Sequence, residues 1–270
     1  MKTDLHTHSV HSFDGSSPVE ALCRAAEKLD IHVLAVTDHC DVNAWEEQDC
    51  ARAIAESFRE IREAQDAAAS AGVTLMAGVE LGEALEVPDR AAWVLEQFPW
   101  DFVIGSLHNT AGDPDFYFLD PTEKTDAELT ALMEKYYREL VCTAEEADFD
   151  TLAHITYPYR YLNAVRSTPF PCEPFDGQAD QVFRTLIRRG KALELNTGSI
   201  LRSQWDRELN ARYFRRYREL GGELVTIGSD AHRPEDVGRG LEDARTLLRQ
   251  AGFVQTVWYQ GRIPHWTPLD

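Results

Sequence analysis

Two rhythms of apolar residues alternate along this chain. Short, β-branched apolar runs read as strands, and each is followed by a longer stretch with apolar positions three and four residues apart, which reads as a helix buried on one face. Residues 2–6 form the first such run. Ser17-Pro18 then supplies an N-cap and a first-turn proline for a helix over 19–29. The run 31–37 (IHVLAVT) is apolar enough to be covered on both faces, and an alanine-rich helix over 51–71 stops at Gly72. The same alternation continues as strand 74–79, helix 88–97, strand 102–105, helix 126–147 and strand 151–154. It ends with helix 176–189, strand 192–195, helix 206–220, strand 224–227, helix 235–250 and a strand-like tail over 253–259.

Seven strand–helix units in a row, with no linker or shift in composition, predict one α/β domain over residues 1–270 and a parallel barrel. A doubly wound sheet is the competing architecture, but it gathers ligands at one switch point rather than around a ring. No Gly-x-Gly-x-x-Gly or P-loop pattern follows any strand, which weakens a nucleotide-binding reading.

Composition narrows the possibilities. An apolar fraction of 43% in 270 residues supports a real core. The formal net charge of −19 would repel a phosphate backbone, so no nucleic-acid partner is expected; most of the acids fall on solvated helix faces. No apolar run reaches the roughly 18 residues that a membrane span needs. The N-terminus shows no signal pattern, and five cysteines without a C-x-x-C pair fit reduced thiols, so a cytoplasmic location is expected. The aromatic tail around Val257-Trp258-Tyr259 is expected to pack within the chain, and oligomeric state is not fixed by the sequence.

The chemistry lies where the apolar runs end. Asp4-Leu5-His6-Thr7-His8-Ser9, Thr37-Asp38-His39, Gly78-Val79-Glu80, Gly105-Ser106-Leu107-His108, His154 and Gly228-Ser229-Asp230-Ala231-His232 all stand at such ends. With Asp14 they offer nine metal-ligating side chains, and they hold six of the nine histidines in the chain. One histidine at a strand end is more often a hydrogen-bonded core residue than a ligand. Their coincidence at every strand end, on the face where a barrel builds its site, points to a multinuclear metal centre. His6 and His8 are two apart on an extended segment, so both rings point the same way, and Asp230 and His232 are expected to repeat that geometry. Glu80 closes an apolar strand, where a buried carboxylate needs cations and its two oxygens suit a bridge. Cys40 adjoins His39 but is not expected to ligate, and His11 and His32 are left outside the set.

In order and spacing, these motifs resemble the PHP (polymerase and histidinol phosphatase) superfamily. The segments Gly105-Ser106-Leu107-His108-Asn109, Asp115-Phe116-Tyr117-Phe118 and Leu193-Glu194-Leu195-Asn196-Thr197 are similar to its histidinol-phosphatase branch. The resemblance runs from Asp4 to about His232 and implies a distorted (β/α)7 TIM-like barrel with two to three divalent ions, zinc, manganese or iron. His6, His8, Glu80 and Asp230 would hold one ion; Glu80 would bridge to a second held by His108 and His154; Asp14, His39 and His232 would hold a third. Asp14 stands where some members carry histidine, and Thr197-Gly198-Ser199 reverses the family's usual serine-before-glycine order.

Such a site favours hydrolysis of a small phosphate monoester, with Glu80, Asp230 and His232 assigned the catalytic work. Arg160, Arg202 and Arg233 follow strand ends and are the candidates for gripping phosphate, because the guanidinium fork matches two oxygens. The resemblance implies L-histidinol phosphate, a substrate of histidine biosynthesis, as the partner; a nucleotide or sugar phosphate is the alternative. A polymerase-associated PHP module without activity is disfavoured by the complete ligand set. An amidohydrolase is disfavoured because no lysine ends a strand in the bridging position.

Overall fold

In the computed structural model, which describes residues 1–269, parallel pairing begins at the N-terminus and runs around a ring. The elements in chain order are β1 (Thr3–Asp4), α1 (Val19–Lys28), β2 (Val33–Val36), β3 (His39–Asp41), α2 (Cys50–Ser70), β4 (Thr74–Gly82), α3 (Pro88–Gln97) and β5 (Phe102–Ser106). Then come α4 (Asp126–Glu146), β6 (Thr151–Leu152), α5 (Tyr159–Leu162), α6 (Asp176–Arg189), β7 (Ala192–Asn196), α7 (Thr197–Ile200), α8 (Gln204–Glu219), β8 (Val225–Gly228), α9 (Leu241–Gln250), β9 (Gln255–Gln260) and β10 (Ile263–Pro268).

The strand order is β1-β2-β4-β5-β6-β7-β8, all parallel, with β3 prolonging the line of β2 against β4. The ring closes between its ends. Leu5 N–H donates to Ile227 O at 3.0 Å, Asp230 N–H to His6 O at 2.8 Å, and His8 N–H to Ala231 O at 2.8 Å. Register then places His39 opposite Glu80, and Glu80 opposite Ile104, so the candidate ligands share one level of the barrel.

Helices coat the outside through periodic apolar faces. In α1 the buried set is Val19, Leu22, Cys23 and Ala26, the i, i+3, i+4, i+7 pattern of a single stripe. A capping box between Thr125 and Glu128 starts α4. Inside the barrel, Leu5, Val33, Ala35, Met76, Phe102, Ile104, Ala153 and Ala192 form a separate small core with Val257 and Tyr259. The small residues leave room for a plug: Tyr259 stacks on Phe102 at 5.3 Å between ring centroids. Burying such a side chain contributes roughly 1.5–3 kcal/mol. The hairpin therefore seals the end of the barrel away from the ligands.

Several boundaries differ from the sequence reading. The tail begins as a strand at Gln255 rather than 253 and turns back through Gly261 and Arg262 into β10, which the reading did not anticipate. The last helix starts at Leu241, not 235, because Gly238 and Gly240 sit at φ +73° and +76° and break the helical path. β4 extends three residues past 79, so Glu80 lies inside a strand rather than beyond one. Asp230 sits at φ +59° after β8 has ended, so the extended spacing expected for Asp230 and His232 is not adopted. One face of the tail packs within the chain as expected, while Ile263 and Trp266 stay exposed.

Candidate metal centre

Glu80 stands at the middle of the site, fully buried. Its Oε2 faces His39 Nδ1 at 2.9 Å, His6 Nε2 at 3.1 Å and His8 Nε2 at 3.5 Å. Its Oε1 faces His154 Nε2 at 3.1 Å and His108 Nε2 at 3.2 Å. Asp230 Oδ1 completes a quartet, 3.6 Å from His6 Nε2 and 3.4 Å from His8 Nε2. Asp14 lies over the outer side, with Oδ2 3.1 Å from His232 Nε2 and Oδ1 3.8 Å from His39 Nε2. The structure thus brings all nine predicted side chains together.

These spacings suit shared cations. Bonds of about 2.0–2.1 Å in tetrahedral geometry place neighbouring donors roughly 3.4 Å apart, close to most of the separations above. Buried His8 Nε2 and His39 Nδ1 lie near Glu80 Oε2 without an aligned hydrogen bond, and the rings of His39 and His232 each stack on His8 at 4.2 Å. Stacked imidazoles could not all be protonated. Burial, with the nearby His39 and His232, pushes His8 down to about 4. Burial would also lower His39, but Glu80 and then Asp41 outweigh it and hold that ring at about 9. Burial opposes ionisation of Glu80, yet His6, His39 and His108 hold its carboxyl well below the usual range. Five imidazoles converging on one buried carboxylate form a donor set fit for divalent ions with nitrogen and oxygen ligands.

The nitrogens facing away from the site are largely held by residues that the ligand assignment missed. His6 Nδ1 meets Glu194 at 2.6 Å, His108 Nδ1 meets Asp41 at 3.3 Å, and His8 Nδ1 meets Ser12 Oγ at 3.0 Å. Such contacts fix the tautomer and orient a ligand. Asp38 gathers Ser9, Ser12 and Ser57, and Asp4 accepts the backbone N–H groups of Ser229 and Gly238. Burial, then Asp41, pushes Glu83 up to about 8 while it accepts the His108 backbone N–H. For Glu194 the signal in the sequence is a charged residue within an apolar run, between Leu193 and Leu195. His11 instead pairs with Glu60 at 2.5 Å, and His32 lies at the opposite end of β2.

A cavity of about 890 Å³ opens over the cluster, with Arg160, Arg202 and Arg233 on its wall. Arg160, on α5, is buried and anchored by Asn196 Oδ1 at 2.8 Å and Ser199 Oγ at 2.9 Å. Ser199 reaches it because residues 197–200 coil into α7 rather than forming an open loop. Arg202 lies 5.9 Å over the Tyr161 ring, and the exposed Arg233 pairs with Asp236 at 3.6 Å.

Residues 4–198 match the PHP domain. The chain belongs to the PHP family. Among the relatives of this PHP protein is a probable histidinol-phosphatase of Clostridium acetobutylicum, 27% identical, covering 97% of this chain and 98% of that one. A histidinol-phosphatase of Lactococcus lactis is 25% identical over 96% of this chain and 95% of its own length. The crystal structure of the histidinol phosphate phosphatase of that species, complexed with zinc, L-histidinol and phosphate, shares the fold, with a TM-score of 0.82 at 23% identity and 98% coverage of both chains.

Proposed function

We propose that this PHP protein hydrolyses a small phosphate monoester with the help of two to three divalent ions, and that its substrate is L-histidinol phosphate, cleaved to L-histidinol and phosphate. The observation that carries the reading is Glu80, whose two oxygens face different groups of imidazoles, beneath a cavity walled by an anchored arginine. The histidinol-phosphatase names of relatives matched over nearly their whole length support the substrate; on this reading the protein serves histidine biosynthesis in the cytoplasm. Among the described residues no helix is long and apolar enough to cross a membrane.

Following the family pattern, His6, His8, Glu80 and Asp230 would hold one ion, Glu80, His108 and His154 a second, and Asp14, His39 and His232 a third; each of these residues lies within 4 Å of another in its set. Zinc, manganese or iron bound there would polarise the phosphate and acidify a water molecule. The chain's own residues do the rest. Arg160, on the cavity wall, would offer its guanidinium charge to phosphate oxygens from a fixed position, with Tyr157 packed 5.3 Å from the guanidinium. Arg202 and Arg233 add positive charge at the mouth, offsetting a strongly acidic chain where an anion must enter. The loop after His108 brings Asp115 and Tyr117 to the same cavity, where a substrate amine and ring would lie.

The cavity volume of about 890 Å³ and the exposed Phe13, Tyr117 and Phe118 favour a second reading, in which a bulkier nucleotide or sugar phosphate is the substrate. Turnover of histidinol phosphate, nucleotides and sugar phosphates should be compared on protein loaded with Zn²⁺ or Mn²⁺ and again after strong chelation. Histidinol phosphate should give the highest kcat/KM, and chelation should abolish it. Full activity in protein shown by elemental analysis to be metal-free would overturn the proposal.

A further inference from the structure

Glu194 sits in the middle of β7 and is only 3% exposed. Its Oε1 lies 2.6 Å from His6 Nδ1, while its Oε2 accepts the backbone N–H of His154 at 3.0 Å. The same Oε2 lies 3.4 Å from Asn196 Nδ2. That amide donates to Asp230 at 3.1 Å, and its oxygen accepts from Arg160 at 2.8 Å. His154 has φ +20°, an uncommon conformation that the surroundings must hold. Gly228 keeps the space open: a Cβ there would stand 2.2 Å from Cβ of His6 and 2.7 Å from Glu194 Oε1.

We infer that Glu194 is a positioning residue that ties two ion sites together through one carboxylate. It holds His6 as the Nδ1–H tautomer, which leaves Nε2 free for an ion, and it sets the depth of His154 by gripping its backbone. A carboxylate behind a ligating imidazole makes that ligand more basic and fixes its plane. Through Asn196 the same unit reaches Asp230 and Arg160, so the phosphate grip is set in register with the ligands. This inference rests on the reading of His6 and His154 as ligands of different ions.

Glu194→Gln keeps the length of the side chain but replaces one acceptor with an NH₂ donor, so it cannot accept from both His6 and His154. The test is Zn²⁺ affinity by competition with a chelator, alongside the thermal midpoint of the zinc-free protein. Zn²⁺ affinity should fall about 10- to 100-fold, well beyond what any small drop in the zinc-free midpoint accounts for. Wild-type zinc retention combined with a lower midpoint would make Glu194 purely structural and overturn the inference. Wild-type protein that takes up no Zn²⁺ would overturn the metal reading beneath it. Should the variant not fold, nitrogen-15 imidazole spectra of zinc-loaded wild type decide the matter. His6 should be protonated at Nδ1, and a proton on Nε2 would refute the assignment.

Discussion

Arg160 Nη1 lies 3.3 Å from Asp230 Oδ2, so the arginine proposed to grip phosphate is itself held by a candidate metal ligand. Asn196, Ser199 and the Tyr157 ring fix the remaining sides of the guanidinium. A planar fork oriented in advance loses little freedom when it meets a phosphate. Arg160→Ala should therefore depress kcat/KM by a factor of ~100 or more for every phosphomonoester, since the fork reads only the phosphate. Arg160→Lys should rescue little, because a point charge cannot satisfy Asn196, Ser199 and substrate together. The check is kcat/KM on two chemically unrelated substrates; loss confined to one would move the phosphate grip elsewhere.

Glu80 carries a sharper expectation. Its oxygens divide the imidazoles into two groups, so Glu80→Gln removes both the charge and one of the two acceptors. Turnover should fall by a factor of ~100 or more at saturating metal. Folding should suffer far less, because the amide still fills the same space. Near-normal turnover with a lowered thermal midpoint would make Glu80 a structural residue.

The barrel and its ring of candidate ligands were legible because each signal is local. A strand shows as an apolar run, and a histidine or carboxylate at its end stands out against that run. What supports the ligands was not legible, because it is long-range. Glu194 reads as a charge in a strand until the fold brings His6, 188 positions away, against it. Asp41 and Glu83 meet His108 only through the pairing of β3 with β4 and of β4 with β5. The hairpin return was hidden for another reason: Ile263–Pro268 contains two prolines, which argue against a strand unless it lies at an edge, as β10 does.

The hairpin also sets an acid limit. Arg262, in the turn before β10, donates to Asp148 at 2.8 and 2.9 Å and to Asp150 at 3.1 Å. Hydrogen bonds from Arg262, opposed by burial, hold the Asp148 carboxyl below its usual value of 3.8. A depressed folded pKa means that the unfolded chain binds the proton more readily. The stabilisation is therefore present above about pH 4 and is lost as pH falls through the folded value. Arg262→Ala should lower the thermal midpoint more at about pH 7 than at about pH 3. An equal loss at both pH values would show that packing, not charge, ties down the hairpin.

Substrate choice should reside in the segment after His108. Asp115 Oδ1 accepts Tyr157 O–H at 2.9 Å and the Tyr117 backbone N–H at 2.7 Å, which fixes the carboxylate at the cavity wall. Tyr117 itself is 65% exposed and stands edge-on to Tyr161 at 5.9 Å. Histidinol phosphate brings a cationic amine and an imidazole to this wall, whereas a simple aryl phosphate brings only a ring. Asp115→Asn preserves an acceptor for both hydrogen bonds but removes the charge, so it should cost histidinol phosphate more than the aryl ester. Tyr117→Ala removes the ring face and should also change the ratio between the two. Discrimination is a ratio of kcat/KM values, so both substrates must be measured on each variant. Equal losses on both would remove this segment from specificity, leaving the histidinol-phosphate assignment to rest on the relatives alone.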